Sequence, residues 1–425
     1  MKNERDRYFV KTLKKELIPA LGCTEPIAIA YAAAKAREVL GEMPERIDIR
    51  CSGNIVKNVK AVTVPNSKGL RGIDVAAALG VIGGNAFREL EVLQEITDAH
   101  IEAAKQMIAQ GKVTCNLQEG VANLYIVASV YAGEHSAQVT LINRHTLITE
   151  ILRDGAVIYQ ASAEENNNQS SDWDDWSVAN ILDFAETADL DSVKEVLDRQ
   201  IELNSAISQA GLSLTHGSQV GRTLLDFGGN DVSVRAKAKA AAGSDARMGG
   251  CSLPVVINSG SGNQGMTVSL PVIEYAKELG VSKEKLYRAL LISNLLAIYQ
   301  KHFIGSLSAF CGAVTAACGS GAAITYLRGG DYNQICQTIV NTLANVGGIV
   351  CDGAKASCAA KIASSVDAAI LASNLSMYGR GFQPGEGIVQ EDIDRTIRGV
   401  GHIGRVGMNT TDTTILNILL DKVEL

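Results

Sequence analysis

The chain has 425 residues, enough for two or three domains, and its 46% hydrophobic and 20% charged residues are typical of a globular protein. The net charge is −7 and no run of five basic residues occurs, so nucleic acid and anionic membranes are poor candidates for partners. Nine irregularly spaced cysteines, and a charged N-terminus with no apolar segment behind it, lead us to expect a cytoplasmic protein with free thiols.

Residues 1–162 are predicted to form an α+β domain. A helix is expected over 5–17, and a second helix begins at Gly22-Cys23-Thr24-Glu25-Pro26, where Thr24 suits the N-cap and Pro26 the first turn. From Lys112 to Gln160 apolar and polar residues alternate, which predicts an antiparallel meander. The other predicted elements are a strand over 46–51, an extended run from Val56 to Val64, and helices over 73–80 and 91–110.

The acidic, polar segment 163–176 is predicted to be a linker. Residues 177–425 have helical patterning almost throughout, so the predicted fold class is α+β: an N-terminal α/β domain with an antiparallel sheet, followed by a predominantly α-helical domain. The uncharged segment Ser306 to Leu327 is long enough to raise the question of a membrane span, but its small residues favour a buried helix.

The segment Cys351-Asp-Gly-Ala-Lys-Ala-Ser-Cys358 is the most informative motif of the helical part. Gly353 allows a tight turn, and the residues after Cys351 are predicted to begin a helix. The N-terminus of a helix stabilises a thiolate, which both metal binding and nucleophilic chemistry need. The motif therefore predicts a metal site or a reactive thiol, with a buried structural cysteine as the alternative.

A second motif, Asn258-Ser259-Gly260-Ser261-Gly262-Asn263-Gln264-Gly265, follows a short apolar run. Its glycines expose backbone N–H groups, and its Ser, Asn and Gln side chains add donors, so it could hold a carboxylate or a phosphate. It is neither a Walker A loop nor a convincing dinucleotide fingerprint. The alternative is a structural loop with Asx turns.

These motifs, together with Leu21-Gly-Cys-Thr-Glu-Pro-Ile-Ala, resemble the L-cysteine desulfidase family over nearly the whole chain. In its C-terminal half that family is similar to the alpha chain of iron–sulfur L-serine dehydratases. The resemblance implies an oxygen-labile [4Fe–4S] cluster that is held by three cysteines and leaves one iron open. Matched residue by residue, the ligands are Cys23, Cys311 and Cys351, with Cys358 as a competing candidate. The remaining cysteines, 51, 115, 251, 318 and 336, are predicted to be core residues.

The implied reaction is the β-elimination of L-cysteine to sulfide, pyruvate and ammonia. Within the second motif we predict that Asn258, Ser259, Ser261, Asn263 and Gln264 bind the substrate, chiefly its carboxylate. Glu25 and Asp352 flank proposed ligands and are expected to orient them.

The general base is less well defined by the sequence. His302 and His216 lie near helix boundaries of the helical part, and Lys355 and Lys361 are alternatives, because a lysine near a cluster can have a lowered pKa. His100, His135 and His145 are predicted to be surface or structural residues. These three lie in the N-terminal part.

Other functions remain open at this stage. A serine dehydratase-type lyase could act on another β-substituted amino acid. A pyridoxal-phosphate lyase would need a Schiff-base lysine and a phosphate cup. A non-enzymatic small-ligand or redox-sensing protein could use the same cysteines. The expected partner is a small amino-acid substrate, and the helical part, rich in small residues, would suit a homodimer.

Overall fold

The computed structural model describes residues 2–162, 173, 175–305 and 307–423. It confirms the α+β class, because a sheet-containing N-terminal region is followed by a mostly helical one. The N-terminal region contains, in chain order, α1 (Lys2–Glu16), β1 (Pro19–Leu21), α2 (Thr24–Leu40), β2 (Arg46–Cys51), α3 (Gly53–Val59), α4 (Ile73–Gly83), α5 (Asp98–Ala109), β3 (Val113–Leu117), β4 (Tyr125–Ala132), β5 (His135–Ile142), β6 (Ile148–Arg153) and β7 (Ala156–Gln160).

The main sheet has the strand order β3-β2-β4-β5-β6-β7. The strands from β4 to β7 form the predicted antiparallel meander, and β3 pairs with β2 in parallel. Alternate residues of β2, Ile47 and Ile49, are fully buried, as the period of a strand requires. Helix α2 packs on β4 and β5, and it ends at Gly41, whose left-handed φ of 83° suits glycine.

One predicted strand is a helix. The run from Val56 to Val64 was expected to be extended, but residues Gly53–Val59 form α3. Ile55 and Val59 are both fully buried and lie four residues apart, which puts them on one face of a helix. This error matters because α3 contributes residues to the site described below.

The helical region is built from buried, close-packed helices. No helix among the described residues is long and apolar enough to cross a membrane. Most residues of α12, the helix that contains most of the uncharged segment, are buried against neighbouring helices. Gly319 permits this packing, since a Cβ atom there would lie 2.5 Å from the carbonyl oxygen of Ser293. The region contains α6 (Val178–Thr187), α7 (Lys194–Ser213), α8 (Val220–Gly228), α9 (Val232–Met248), β8 (Pro254–Val256), α10 (Gly262–Glu278), α11 (Lys283–Ile304), α12 (Gly312–Leu327), α13 (Tyr332–Val346), α14 (Cys358–Met377), α15 (Ile393–His402) and α16 (Asn409–Leu419).

The two ends of the chain join the two regions. Strand β1 pairs antiparallel with β8, so the N-terminal segment is fixed to the helical region. In the other direction, α16 packs on α3, and Asp412 forms an ion pair with Lys57 at 2.5 Å. These contacts place the ends of β1 and β8 beside the start of α2, which brings the sequence motifs of both regions together.

Most of the predicted linker, residues 163–172 and 174, lies outside the described residues. Its last residue, Trp176, is 2% exposed and packs edge-on against Phe9 of α1 at 4.8 Å between ring centroids. That end of the segment is therefore part of the core. The domain boundary at residue 162 stays a prediction.

Candidate active site

Cys311 and Cys351 are held side by side. Phe310 and Val350 form an antiparallel bridge, and the backbone N–H of Cys351 donates to the carbonyl of Ala309 at 2.6 Å. Burial, followed by the neighbouring Cys351 thiol, raises the pKa of Cys311 to about 12. The backbone N–H of Cys311 in turn donates to the carbonyl of Ile349 at 3.0 Å, so the two cysteines lie on paired segments.

Cys358 joins these two thiols through a tight turn. Gly353 has a φ of 98°, and a Cβ atom there would lie 2.4 Å from the carbonyl oxygen of Lys57, so glycine is required. The Cys358 thiol lies 3.7 Å from the Gly353 carbonyl, which it faces as a donor. Burial raises the pKa of Cys358, and the Cys351 thiol adds to this increase. Cys311, Cys351 and Cys358 are called the three-cysteine group below.

The predicted helix start was placed too early in the sequence. The helix begins at Cys358 and not directly after Cys351, because the turn at Gly353 delays it. Cys311 is the N-cap of α12, so two helix N-termini meet at the three-cysteine group. A readily ionised thiol was expected at the helix start. Instead, burial of Cys358 keeps the thiol neutral unless a bound cation stabilises its thiolate.

Lysines surround the three-cysteine group. Lys301 is buried on α11, and burial lowers its pKa although Cys351 and Cys311 oppose this effect. Lys57 lies 3.5 Å from the carbonyl oxygen of Cys351, and Lys361 donates to the carbonyl of Val350 at 2.7 Å. These cations would offset the negative charge of thiolates.

Asp352 forms ion pairs with two lysines, Lys355 and Lys361. Lys355 forms an ion pair with Asp352 at 2.5 Å, and Lys361 forms another with the same carboxylate. Burial opposes ionisation, but hydrogen bonds from both lysines lower the pKa of Asp352 to about 2. Asp352 therefore holds the two lysines beside the loop of the motif.

A second group of side chains surrounds Glu25 at the start of α2. The Cys23 thiol, which belongs to the N-cap residue, lies 3.0 Å from Oε2 of Glu25, and Thr24 Oγ1 lies 3.2 Å from the same oxygen. Asn58 Nδ2 of α3 donates to Oε1 at 2.9 Å. Nε2 of His145 lies 4.0 Å from Oε1. Cys23, Thr24, Glu25, Asn58 and His145 are called the Glu25 network below.

The charges of this network follow from its surroundings. Burial alone would raise the pKa of Glu25, but His145, the Cys23 thiol and Arg247 together hold it below its ordinary value. Burial lowers the pKa of His145 and raises that of Cys23 well above its ordinary value. At neutral pH the network therefore combines an ionised carboxylate, a thiol and a neutral imidazole.

The two groups are neighbours. Cys23 forms a small apolar cluster with Val62 and Met248, and Ala354 and Cys358 pack against this cluster. The carboxylate network thus lies directly beside the three-cysteine group. The residues come from both regions of the chain.

The glycine-rich motif forms the start of α10. Asn258 donates through Nδ2 to Oδ1 of Asn294 at 3.0 Å, and Ser259 donates to Asn258 at 2.8 Å. Ser261 is the N-cap of α10 and accepts from the backbone N–H of Gln264. These three predicted substrate-binding side chains therefore make hydrogen bonds within the loop, to the first turn of α10, or to Asn294 of α11.

Asn263 and Gln264 differ from the other loop residues. Oδ1 of Asn263 and Oε1 of Gln264 are buried and find no hydrogen-bond partner in the described part of the chain. The Gln264 side chain lies against Gly312, directly after Cys311. The carbonyl of Gly260 accepts a hydrogen bond from Thr24 at 3.0 Å, which joins the loop to the Glu25 network. Of the predicted substrate-binding residues, Asn263 and Gln264 have acceptors left, which suit a donor group of a ligand and not its carboxylate.

A family model described as "serine dehydratase alpha chain" matches residues 88–417, which is more than half of the chain. The chain belongs to the serine dehydratase alpha chain family. All members of the three-cysteine group lie within the match. Cys23, Glu25 and Asn58 lie before it.

Similarity to other proteins extends over nearly the whole chain. A UPF0597 protein of Lachnoclostridium phytofermentans is 56% identical over 98% of this chain and 100% of its own length. A UPF0597 protein of Desulfitobacterium hafniense is 49% identical over 98% of each chain, and one of Treponema denticola is 46% identical over 99% of each. The part that contains the Glu25 network is therefore shared with these relatives.

The donor set of this serine dehydratase alpha chain family member fits an anionic group bound through three sulfur atoms. Within the described ranges, no set of three or more His, Cys, Asp or Glu side chains is arranged to hold one metal ion. A [4Fe–4S] cluster binds each thiolate through a different iron, so its ligands stand farther apart than those of a single ion. Three thiols, two helix N-termini and nearby lysines suit such a group.

The two histidines predicted as bases, His302 and His216, belong neither to the three-cysteine group nor to the Glu25 network. The ring of His302 stacks on Trp173 at 3.7 Å. His216 lies before α8 against Gly249, and its buried Nε2 has no hydrogen-bond partner among the described residues. The structure does not place the two histidines together, and their roles as bases stay predictions.

His145 is the functional candidate that sequence reasoning missed. It was expected to be a surface or structural residue, but its side chain is only 11% exposed. A Cβ atom on Gly260 would lie 3.2 Å from its ring, so His145 packs on the glycine-rich loop. No local pattern identifies it, because its neighbours are distant in sequence.

The other cysteines agree only in part with the prediction of core positions. Cys51, Cys251 and Cys318 are buried, and Cys336 is half-buried. Cys115 is exposed, because it lies on β3, an edge strand of the sheet. None of these five belongs to the three-cysteine group.

Proposed function

We propose that this protein is an iron–sulfur lyase that eliminates sulfide from L-cysteine and yields pyruvate and ammonia. The observation that carries the proposal is that Cys23, the partner of Glu25, belongs to the apolar cluster against which Cys358 of the three-cysteine group packs. One group offers thiols for a metal cluster, and the other offers a carboxylate–thiol pair for proton transfer. Membership of the serine dehydratase alpha chain family supports a lyase of this general kind.

In this proposal Cys311, Cys351 and Cys358 hold the [4Fe–4S] cluster. The sequence favoured Cys23 over Cys358, but the Cys23 thiol is engaged with Glu25, whereas Cys358 influences the ionisation of Cys311. When bound, a cluster with one iron free of protein ligands supplies a Lewis acid that stabilises the departing sulfur. Lys301 and Lys361 offset the negative charge that three thiolates bring.

The substrate carboxylate is assigned to the start of α10. The Ser261 cap fixes the first turn, whose backbone N–H groups favour an anion. Gly265 brings this turn close to β8, since a Cβ atom there would lie 2.0 Å from the carbonyl oxygen of Val256. The Gln264 side chain beside Gly312 links the carboxylate position to the neighbouring Cys311.

The proton of the substrate α-carbon is assigned to the Cys23–Glu25 pair. Cys23 and Oε2 of Glu25 share one proton across 3.0 Å, so the pair can take up a second one. As the C–H electron pair forms the new double bond, the bond from Cβ to sulfur breaks and sulfide leaves. The resulting aminoacrylate adds water and releases ammonia to give pyruvate.

L-Serine is a second candidate substrate, favoured by the description of the matching family. The same residues would act, with the hydroxyl group leaving as water in place of sulfide. The poorer leaving group would depend more strongly on the metal.

Both candidates are tested with protein purified without air. Sulfide and pyruvate are measured with L-cysteine, and pyruvate and ammonia with L-serine. The proposal predicts catalytic, equimolar sulfide and pyruvate from L-cysteine and a lower kcat/KM for L-serine. Turnover of L-serine alone would replace the proposed substrate, and turnover of neither by iron-loaded protein would overturn the proposal.

A further inference from the structure

Two side chains next to the same oxygen of Glu25 each keep a buried acceptor that has no partner among the described residues. Asn58 donates to Oε1 through Nδ2, and because a carboxylate only accepts, this contact fixes the orientation of the Asn58 amide. Its Oδ1 is buried and has no hydrogen-bond partner in the described ranges, and the same is true of Nε2 of His145. Asn58 is 6% exposed, so water does not freely satisfy these atoms.

On the His145 side, the acceptor is not bonded directly to Oε1. Nε2 of His145 and Oε1 of Glu25 are 4.0 Å apart, which is too long for a direct hydrogen bond. Two acceptors that bind one tetrahedral ammonium nitrogen at ~2.8 Å stand ~4.6 Å apart, so the two side chains would separate by ~0.6 Å to share one. With its proton on Nδ1, the neutral imidazole of His145 accepts at Nε2.

The charge of the surroundings favours a cation at this position. The Glu25 carboxylate is buried, and its other oxygen, Oε2, is occupied by Cys23 and Thr24. A primary ammonium group would bring one positive charge and three donors to Oε1, Oδ1 of Asn58 and Nε2 of His145. Each of the three acceptors would then have a donor.

We propose that Glu25 Oε1, Asn58 Oδ1 and His145 Nε2 form a subsite for the α-ammonium group of the substrate. The inference rests on the proposed function and deepens it, because it names the residues that hold the amino group of the substrate. The two oxygens of Glu25 then have different roles. Oε2 accepts the hydrogen bond from Cys23, and Oε1 binds the ammonium group. Thiols that lack the amino group, or carry it acetylated, would bind poorly.

The test measures binding of unreactive ligands to anaerobically purified enzyme by calorimetry. L-Alanine has both the carboxylate and the ammonium group, whereas propanoate has only the carboxylate. The subsite predicts that L-alanine binds at least tenfold more tightly than propanoate. His145→Phe should weaken L-alanine about tenfold and leave propanoate unchanged, and His145→Gln, which keeps an acceptor, should restore most of the affinity.

His135→Phe is the matched control, since His135 is 61% exposed on β5 and lies outside the network. Equal affinities for L-alanine and propanoate, or equal losses for both ligands in His145→Phe, would overturn the subsite. That failure is distinguishable from failure of the proposed function, because sulfide release from L-cysteine would continue. If L-cysteine gave no sulfide but L-alanine still bound through His145, the subsite would stand and the reaction would be wrong.

Discussion

The thiol of Cys23 lies 3.0 Å from Oε2 of Glu25, and Cys358 packs against the apolar cluster that Cys23 forms with Val62 and Met248. From the sequence, Cys23 is predicted to be a cluster ligand like Cys311 and Cys351. Its contact with Glu25 leads us to assign it a different role. A cysteine that donates to a carboxylate is suited to proton transfer, and the thiols of the three-cysteine group are suited to metal binding.

The first prediction concerns Cys23→Ser. The variant should keep the iron content of the wild-type protein, because Cys23 is not one of the three assigned ligands. Its kcat for sulfide release should fall by about 10²-fold or more, since a serine hydroxyl is a much weaker acid than a thiol. Iron analysis and steady-state kinetics check both expectations, with Cys251→Ser as the buried control. Loss of iron in Cys23→Ser alone would show that Cys23 is a ligand.

Lys301→Met should change stability and iron content in opposite directions. Lys301 is buried, so its removal relieves the burial of an ammonium group and should raise the Tm of the cluster-free protein. The variant should bind less iron, because a cation that faces Cys311 and Cys351 is lost. Lys105→Met, on the exposed face of α5, should change neither quantity. A variant that gains stability and retains full iron would contradict the charge-balancing role.

Gly265→Ala should destabilise the fold and weaken substrate binding together. The new Cβ atom would overlap the carbonyl of Val256, so α10 must move away from β8. We expect a loss of about 2 kcal/mol or more in unfolding free energy, as for other overpacked sites. Gly399→Ala on α15 meets no neighbouring atom and should gain about 0.5–1 kcal/mol instead. Denaturant titration compares the two, and an unchanged midpoint in Gly265→Ala would contradict the close packing.

The sequence predicts features that depend on local spacing. The meander of β4–β7 follows from alternation of apolar residues, and α2 follows from its Thr-Glu-Pro start. The error at α3 arose because Ile55 and Val59 also fit a strand when the spacing of four is overlooked. The helix after Cys351 was placed too early because nothing local shows that Gly353 must turn against Lys57.

The candidate site depends on contacts between distant parts of the chain. His145 reaches Glu25 through the packing of a loop on Gly260, which no periodicity encodes. The choice between Cys23 and Cys358 likewise depends on which thiols face one another. The motifs could be recognised from the sequence, but their division into a three-cysteine group and a Glu25 network could not.

Asp245 should make stability depend on pH. Burial raises the pKa of its carboxyl group to about 6, although backbone N–H groups of the segment 218–221 oppose the shift. An unfolded Asp titrates near ~3.9, so the folded state holds the proton more tightly. This group's stabilising contribution is complete below about pH 4 and is lost as the pH rises through about 6.

Asp245→Asn removes this titration and keeps an acceptor for the backbone N–H of Gly221. Relative to the variant, the wild-type protein should lose about 2 kcal/mol of unfolding free energy between pH 4.5 and 7.5. Urea titrations at several pH values give the difference, in which the groups common to both proteins cancel. Asp226→Asn, at an exposed position, is the control. Parallel pH profiles for wild type and Asp245→Asn would contradict the assignment.

The central claim is that Cys311, Cys351 and Cys358 together hold an iron–sulfur cluster. It is tested most directly by the iron and acid-labile sulfide content of anaerobically purified wild-type protein and of single alanine variants. The account predicts about four irons and four sulfides per wild-type chain. It predicts strong loss in Cys311→Ala, Cys351→Ala and Cys358→Ala, and full retention in Cys318→Ala, a buried cysteine on α12 outside the group. Wild-type protein without iron, or equal losses in all four variants, would contradict it.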